Sequence, residues 1–463
     1  MPQTRYLIIF AQAHYDFRIP ELLSVAELHG FSIGLPDQPE PTRPYMVVQL
    51  EHQDHAILLA SRCILIKSVC EFYAQGSSYD ELHAAVRSNK QEWIQHQADA
   101  SFKFTVTGFK CSLPAQKQRE IIESFSYMAL AGKIDLKTPD IILSVFEEYD
   151  SRVANVEGKH EQPNRFKQVY FGRLLVEGTA RSLAAKFDVK KRVYYGNTSM
   201  EAEISLLMAN QTLASSGKLV YDPFMGTGSM AYTVAHFGAQ MFGSDIDGRQ
   251  MRGKEKQAGV FRAAAQYGVA ARVVDLCTFD VTHNPWRCGD LFDAIVTDPP
   301  YGVRAGAKRL GRKKPPTEKH IASLSSQRVG ALRPGDSAPY IPPTKPYELS
   351  NLASDLVLLA RYLLRPGGRL VFFLPTVNED YQAVDIRTML CEGMEVVANS
   401  LQDFGSWGRR LITLRKTTNQ SYDPPTFEAP SEDVDELDGE TAHVPAHKDF
   451  REKYFQGFKP AAE

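Results

Sequence analysis

The first half of the chain alternates short apolar runs with segments whose apolar residues recur every three or four positions. The first pattern is typical of strands and the second of amphipathic helices. The predicted strands are Arg5–Phe10, Tyr45–Leu50, the alternating segment Phe102–Val106 and Ile141–Phe146. The predicted helices are Pro20–His29, Tyr79–Arg87 and Ala115–Leu130. These elements indicate a mixed α+β region, and they contain no evident catalytic set of residues.

The second half has a more regular rhythm. Four short apolar runs, with helical patterns between them, are marked by Leu219, Met241, Val273 and Ile295. Such alternation predicts a parallel, doubly wound α/β sheet. The later elements are predicted to be a helix at Leu349–Leu364, a strand at Arg369–Leu374 and a last strand at Leu411–Leu414.

One motif stands directly after an apolar strand, Phe292–Thr297. It reads Asp298-Pro299-Pro300-Tyr301, and we call it the tip motif. The two prolines end the strand and remove two backbone N–H donors, so nearby carbonyl oxygens remain available as acceptors. A carboxylate, a carbonyl and an aromatic ring at one strand end suit a flat ring that carries an exocyclic amine. The alternative interpretation is a tight turn capped by the aspartate.

A second motif, Gly226-Thr227-Gly228-Ser229-Met230-Ala231, lies between a predicted strand and a predicted helix. Its G-x-G-x-x-A spacing is typical of a turn that approaches a ligand closely, and we call residues 226–228 the glycine turn. Asp245 follows Gly226 by 19 residues, where an acid can accept hydrogen bonds from ribose hydroxyls. No Gly-Lys-Ser/Thr sequence follows, which excludes a Walker A phosphate loop.

Further acids distinguish the ligand class. A carboxylate at Asp222, just before the glycine turn, would repel a pyrophosphate and attract an ammonium or sulfonium group. This favours S-adenosylmethionine over NAD. Asp280 is a candidate acceptor for the adenine amino group, and Asp275 is a competing candidate. Taken singly, each acid is more often a helix cap or a solvated loop residue, and Asp247 is predicted to be such a cap.

The order of these motifs carries a family resemblance. Asp222–Gly228, Ser244–Asp247 and Asp298–Tyr301 resemble motifs I, II and IV of the class I amino-methyltransferases. Asn197-Thr198-Ser199-Met200 resembles the segment that closes over the methionine end of the cofactor in that group. Apart from its C-terminal tail, the whole chain is similar to the catalytic subunits of the eukaryotic tRNA (guanosine-10 N2)-methyltransferases.

The resemblance implies S-adenosyl-L-methionine as cofactor, tRNA as substrate and methyl transfer to the N2 amine of guanosine 10. The residues that it implies for cofactor binding are Asn197, Thr198, Ser199, Asp222, Phe224, Gly226, Gly228, Asp245 and Asp280. The residues that it implies for catalysis are Asp298, Pro299, Pro300 and Tyr301. It implies no metal site in this chain. It also implies a partner, a small zinc-binding activator protein that forms a heterodimer with the catalytic subunit.

The resemblance further implies a division of the chain. The expected parts are a ferredoxin-like domain at 1–60, a THUMP-like RNA-binding domain at 61–165, a linker at 166–195, a Rossmann-like methyltransferase domain at 196–420 and a flexible acidic tail at 421–463. The polar stretch 151–164 is also expected to be a linker. Gln168–Glu177, with the helix after it, is expected to pack against the methyltransferase half.

Composition agrees with an intracellular globular protein. The chain has 463 residues, 43% of them hydrophobic, and a net charge of −2. These values are ordinary for a globular protein. The six cysteines have no paired spacing, so they indicate reduced thiols instead of disulfides or a zinc site. Because no apolar run is long enough to span a bilayer, we expect a soluble, cytoplasmic protein.

Basic residues cluster in three regions of the chain that are candidates for RNA contact. In the first half the candidates are Lys110, Lys117, Arg119, Lys133 and Lys137, for which a solvated helix face is the commoner explanation. The long insertion Gly302–Tyr347 begins with a basic run and is predicted to be an RNA-contacting lid, with a disordered charge run as the alternative. Phe404–Arg410 offers an aromatic ring and two cations near the target nucleotide, with an edge loop as the alternative.

The expected mechanism places both protons of the guanine N2 amine on the Asp298 carboxylate and the Pro299 carbonyl. Tyr301 stacks on a base extruded from its helix, and the released proton passes to Asp298 or to water. Two alternative functions have other substrates: methylation of adenine N6 or cytosine N4 in DNA, and a non-enzymatic RNA-binding scaffold. The RNA-binding resemblance argues against the first, and the intact set of acids argues against the second.

Overall fold

The computed structural model describes residues 4–97, 100–150, 165–253, 259–303, 306–311, 343–427 and 444–457. The chain forms two compact units, an N-terminal unit, Met1–Ala185, and a C-terminal unit, Lys186–Glu463. Among the described helices, none combines the length and the apolar character needed to cross a membrane.

The N-terminal unit is built on one six-stranded sheet. Its strands are β1 (Thr4–Phe10), β2 (Tyr45–Leu50), β3 (Ile66–Gly76), β4 (Phe102–Gly108), β5 (Ile141–Tyr149) and β6 (Phe166–Glu177). The strand order is β2-β1-β3-β6-β5-β4. Only the β4–β5 pair is parallel, and the other pairs are antiparallel.

The helices of this unit pack against the sheet. Successive residues of a strand point to opposite faces, so each strand contributes to an apolar core on either side. The helices are α1 (Arg18–His29), α2 (Gln53–Arg62), α3 (Tyr79–Ser88), α4 (Lys90–Trp93), α5 (Ala115–Ser124) and α6 (Ser182–Lys186), the last at the boundary between the units. Ile8 and Phe10 of β1 join one apolar core with residues of α1 and α2. Leu7 and Ile9 join a second core on the opposite face.

The boundaries in this half differ from the expected domain division. The position 60/61 falls inside α2, and one sheet runs across it. The segment expected to begin a linker at residue 166 is β6, which pairs with both β3 and β5. Gln168–Glu177 is therefore part of the N-terminal sheet and not of a linker. The buried run Val169–Phe171 explains the difference, since it completes the core of the first sheet. The predicted linker 151–164 lies outside the described residues.

The C-terminal unit contains a seven-stranded sheet and a two-stranded ribbon. The strands are β7 (Leu219–Asp222), β8 (Gln240–Asp245), β9 (Val273–Thr278), β10 (Phe292–Thr297), β11 (Lys308–Leu310), β12 (Thr344–Pro346), β13 (Leu364–Val377), β14 (Met394–Asp403) and β15 (Trp407–Lys416). The large sheet has the order β14-β15-β13-β10-β7-β8-β9, and β11 pairs with β12. From β13 to β9 the neighbours are parallel, whereas β15 is antiparallel to β13 and to β14.

The helices of this unit are α7 (Ala202–Gln211), α8 (Ser229–His236), α9 (Gly248–Arg252), α10 (Val260–Gln266), α11 (Leu349–Leu363), α12 (Val384–Arg387) and α13 (Phe450–Gln456). Most of them lie between its strands in sequence, whereas α7 precedes the first strand and α13 follows the last. The predicted cap is confirmed, because the Asp247 side chain accepts a hydrogen bond from the N–H of Arg249 at the start of α9. The doubly wound parallel sheet is confirmed as well. Most of the basic run after Gly302 lies outside the described residues.

The sheet has one topological switch point. From β7 the chain proceeds outward through β8 and β9, and from β10 it proceeds through β13 in the opposite direction. Adjacent strands whose connections diverge leave a crevice at their carboxyl ends, where ligands of open α/β sheets bind. The carboxyl end of β7 is Asp222, and β10 ends at Thr297, immediately before the tip motif.

Candidate active site

The glycine turn connects β7 to α8 in a conformation that favours glycine. The φ angles are +51° at Gly226 and +81° at Gly228, in the left-handed region. A Cβ at Gly228 would lie 2.8 Å from Cγ1 of Val260 and 2.9 Å from the hydroxyl oxygen of Tyr232. The backbone is therefore pressed against its neighbours at Gly228, whereas a Cβ at Gly226 would have only the Phe224 carbonyl oxygen nearby, 3.9 Å away.

Asp222 links the two strands at the switch point. Its Oδ1 accepts hydrogen bonds from the Thr297 hydroxyl at 2.7 Å and from the Phe224 N–H at 3.0 Å. The side chain is fully buried, and its Oδ2 has no partner among the described residues. Burial raises the pKa of this carboxyl to about 7. A buried carboxylate oxygen without a donor fits a cationic or N–H-bearing ligand group.

Asp245 holds the glycine turn from the end of β8. Its Oδ2 accepts from the Gly226 N–H at 2.9 Å, and its Oδ1 accepts from the Asp247 N–H at 2.8 Å. Burial raises the pKa of Asp245, and the two backbone donors oppose the rise. Each carboxylate oxygen has capacity for a further donor. The predicted ribose contact is compatible with this geometry and stays a prediction.

The segment before α7 lies beside the glycine turn, and its expected closure over the cofactor stays a prediction. The Ser199 hydroxyl accepts from the Gly196 N–H at 2.9 Å and lies 2.7 Å from the Thr227 hydroxyl. The Met200 N–H donates to the Ser229 hydroxyl oxygen at 3.0 Å. These bonds fix the segment beside the turn. Its other predicted site residues, Asn197 and Thr198, are exposed.

The tip motif stands at the same crevice, since Thr297 bonds to Asp222. The Tyr301 hydroxyl donates a hydrogen bond to Oδ1 of Asp298. Burial raises the pKa of Asp298, and the Arg409 guanidinium, 3.9 Å from its Oδ2, opposes the rise. The hydroxyl bond of Tyr301 was not foreseen in the sequence. The predicted stacking of its ring on a base stays a prediction.

Arg409 belongs to a polar group that the sequence motifs did not identify as a unit. Its Nη2 lies 2.8 Å from Oε1 of Glu201, and its Nε donates to Oε1 of Gln402 at 2.6 Å. Gln402 in turn donates to Glu201 at 2.9 Å. The guanidinium also lies over the Phe373 ring, 4.5 Å from its centroid. The signal in the sequence was the Phe404–Arg410 segment, which was predicted to bring cations near the target nucleotide.

Asp280 is engaged by the backbone. Its Oδ1 accepts from the Thr282 N–H at 2.9 Å, and its Oδ2 accepts from the Leu310 N–H of β11 at 2.5 Å. The carboxylate is buried, so it anchors the start of the insertion to the end of β9. Its expected contact with an adenine amine stays a prediction. The competing candidate, Asp275, is exposed.

The fold and the site together define a class I methyltransferase domain. Residues 190–314 match the family described as "RMKL-like, methyltransferase domain", and residues 4–181 match the "Tmrp11 THUMP N-terminal domain". The solved structure of TrmN from Thermus thermophilus is 17% identical with a TM-score of 0.40, over 89% of this chain and 99% of that chain.

Relatives that match over almost the whole chain identify the family within this class. The chain is 36% identical to the tRNA (guanine(10)-N(2))-methyltransferase of Saccharomyces cerevisiae, over 98% of this chain and 99% of the relative. It is 31% identical to the tRNA (guanine(10)-N(2))-methyltransferase TRMT11 of Homo sapiens, over 98% of this chain and 95% of the relative. The chain belongs to the tRNA (guanine(10)-N(2))-methyltransferase family.

Proposed function

We propose that this protein transfers a methyl group from S-adenosyl-L-methionine to the exocyclic N2 amine of guanosine 10 in tRNA. The observation that carries the proposal is the hydrogen bond between Thr297 and Asp222, because it holds the tip motif beside the glycine turn. A site for the methyl donor and a site for a planar amine thus share one crevice. The activity of the full-length relatives supplies the substrate.

The residues around the glycine turn would hold the cofactor. Asp222 Oδ2 suits its cationic methionine end, and Asp245 suits its ribose hydroxyls. Ser199 and Thr227 would close the pocket beside the turn. When bound, the cofactor supplies an electrophilic methyl group carried on a sulfonium.

The tip motif would hold the base. The Asp298 carboxylate and the Pro299 carbonyl accept hydrogen bonds from the two N–H groups of the guanine N2 amine. These hydrogen bonds reduce the delocalisation of the nitrogen lone pair into the ring. In-line placement of that nitrogen provides much of the rate acceleration, since the methyl group is already activated. As the new N–C bond forms and the C–S bond breaks, the amine loses a proton to Asp298 or to water.

The polar group around Arg409 would set the ionisation state and the orientation of the Asp298 carboxylate. The Arg409 guanidinium lowers the pKa of Asp298 against the effect of burial, which favours the ionised form that accepts hydrogen bonds. The Tyr301 hydroxyl fixes the orientation of the same carboxylate. Glu201, whose Oε1 lies 2.8 Å from Nη2 of Arg409, keeps the guanidinium in place.

The proposal is tested by incubating the purified protein with methyl-labelled cofactor and either total tRNA or DNA. We expect label in tRNA, as N2-methylguanosine at position 10 after nuclease mapping. Depletion of the protein in its own cells should remove that nucleoside from tRNA. Label in DNA, or at another tRNA nucleotide, would contradict the proposal.

We further propose that a small zinc-binding activator docks on the edge of the large sheet at β9. Among the described strands of that sheet, β9 lies at one end of the order. Val274 on β9 is 55% exposed, and Phe261 on α10 is 45% exposed. An exposed edge strand with apolar neighbours suits strand addition by a partner. Co-purification of the activator with the wild-type chain, and its loss with Val274→Arg, would support the assignment; retention by the variant would refute it.

A further inference from the structure

An aromatic cluster lies partly exposed in the C-terminal unit, and the methyl-transfer mechanism above does not use it. The Phe404 and Trp407 ring centroids are 4.6 Å apart, Trp407 and Tyr454 are 5.5 Å apart, and Tyr454 and Phe455 are 5.6 Å apart. Phe404 is 46% exposed and Phe455 is 64% exposed. We call these four residues the aromatic surface. Large exposed rings that adjoin one another mark an interaction site more often than isolated ones do.

The segment 444–457 supplies half of this surface and is anchored to the large sheet. The Val377 N–H donates to the Ala446 carbonyl at 3.2 Å, and the Ala446 N–H donates to Oδ2 of Asp385 at 3.0 Å. Phe450 on α13 is buried, with its ring centroid 5.6 Å from that of Trp407. Val377 is the carboxyl end of β13, which is parallel to β10. The segment therefore covers the same end of the sheet as the tip motif.

The aromatic surface borders the residues that would hold the target base. Arg409 lies over the Phe404 ring, 5.9 Å from its centroid, and 3.9 Å from Oδ2 of Asp298. On the other side, a Cβ at Gly302 would lie 2.9 Å from Cδ of Arg451, so this side chain packs on the residue that follows the tip motif. Arg451 also lies 5.9 Å from the Phe455 ring centroid. The surface and the base site are continuous.

Stacking is the chemistry that such a surface offers. Unpaired bases of RNA stack on aromatic rings and on guanidinium planes, and each stack contributes about 1–3 kcal/mol. Arg451 and Glu452 of α13 are exposed, and so is Asp449 just before the helix, so the charge here is mixed and the rings are the main candidates for contact with RNA. A target base that leaves its helix exposes the neighbouring bases, and these need new stacking partners.

We propose that the aromatic surface binds an unpaired nucleotide of the tRNA adjacent to the target guanosine. This inference rests on the proposed function. It assigns to the segment 444–457 a part in substrate binding, and it makes Phe404 and Phe455 determinants of tRNA affinity.

The test uses the full chain, with its activator if activity requires one, and the double variant Phe404→Leu/Phe455→Leu. Leucine keeps an apolar surface and removes the ring, and both positions are exposed, so the fold is retained. We expect the KM for tRNA to rise about 10-fold or more, from the energy of base stacking, with an unchanged Kd for the cofactor. The variant Phe404→Trp/Phe455→Trp should restore tRNA affinity. The matched control is Val396→Ala, an exposed apolar residue on β14.

The outcomes separate the two proposals. If the wild-type protein methylates guanosine 10 and the leucine variant has the same KM and tRNA Kd as the wild type, this inference is wrong. The proposed function is unaffected by that result. Wild-type protein that does not methylate tRNA would overturn the proposed function itself. If the leucine variants lose the activator and keep their tRNA affinity, the surface is a protein-docking site and the inference is wrong.

Discussion

At the scale of single residues, Asp298 is the group whose environment is most closely matched to the proposed chemistry. It receives a hydrogen bond from Tyr301 and lies near one guanidinium, and its carboxylate sits partly shielded at a strand end. A partly desolvated acceptor interacts more strongly with a polar ligand than a fully hydrated one does. Its neighbour Arg409 keeps Glu201 and Gln402 as partners. Removing the carboxylate therefore leaves no isolated buried charge.

Asp298→Ala should lower kcat about 100-fold or more, because the amine loses its main acceptor. The cofactor Kd should stay within about twofold of the wild-type value, since Asp298 belongs to the base site. Single-turnover methylation and calorimetry measure the two quantities. Equal loss of both would indicate a structural role. Glu395→Ala, which removes an exposed acid on β14, is the matched control.

Arg409→Ala should move the acid limb of the pH–rate profile to higher pH. The guanidinium lowers the pKa of Asp298, so its removal raises that pKa and a higher pH is needed to ionise the carboxylate. Arg409→Lys should give a smaller shift, because the lysine keeps the charge but loses the planar fork that contacts Glu201 and Gln402. An unchanged profile in both variants would refute the electrostatic role.

At the scale of elements, the ends of β7, β8 and β10 build the site together. The Asp245 side chain connects the end of β8 to the glycine turn after β7. Asp245→Ala should raise the cofactor Kd about 10- to 100-fold, since hydrogen bonds to a charged group contribute about 1.5–3 kcal/mol. Titration calorimetry measures this change. An unchanged Kd would remove Asp245 from the cofactor site.

Elements with strong local signals could be predicted from the sequence, and those defined by distant contacts could not. The strand Tyr45–Leu50 was predicted with both ends correct, because its apolar run is bounded by polar loops. β3 was not predicted, because Lys67 and Glu71 interrupt its apolar pattern although it lies inside the sheet. The predicted helix Ala115–Leu130 ends at Ser124, where Phe125 turns into an aromatic core with a ring centroid 4.4 Å from Phe171.

The candidate site likewise contains residues that local sequence predicted and residues that depend on distant contacts. Asp222 ends β7, and the glycine turn and the tip motif come after strand ends, so local sequence was enough to place them at one edge of a parallel sheet. The pairing of Glu201 with Arg409 joins residues 208 positions apart and depends on the antiparallel return of β15, which no local pattern encodes. The role of segment 444–457 was also open in the sequence, because its anchoring bonds are made to residues far earlier in the chain.

At the scale of the whole molecule, substrate recognition is expected to involve both units. In the N-terminal unit, Lys133 and Lys137 are exposed on a loop with Ile134 and Leu136, which are 65% and 70% exposed. Lys117, by contrast, lies 3.3 Å from Glu147 and is already paired. Lys117 is therefore a weaker candidate for phosphate contact than the loop lysines. Such contacts position an RNA without reading its sequence.

Lys133→Ala/Lys137→Ala should weaken tRNA binding and lower the slope of log K against log salt by about 1 to 2. The rate of transfer from the bound complex should not change. Filter binding over a range of salt concentrations measures the slope. Lys67→Ala/Lys90→Ala removes two exposed lysines elsewhere in the same unit and should have little effect. An equal effect of both pairs would indicate general electrostatics without a defined surface.

The unpaired Oδ2 of Asp222 has a consequence for the energetics of the first binding step. Burial raises the pKa of this carboxyl to about 7, so at neutral pH roughly half of the ligand-free molecules carry a proton there. A cationic ligand beside it favours the ionised form, so binding at pH 7 should release about half a proton per molecule, and affinity should fall roughly tenfold from pH 8 to pH 6. Calorimetry in two buffers of different ionisation enthalpy measures the release. With Asp222→Asn the heats should no longer depend on the buffer, whereas buffer-independent heats in the wild type would show that no proton leaves.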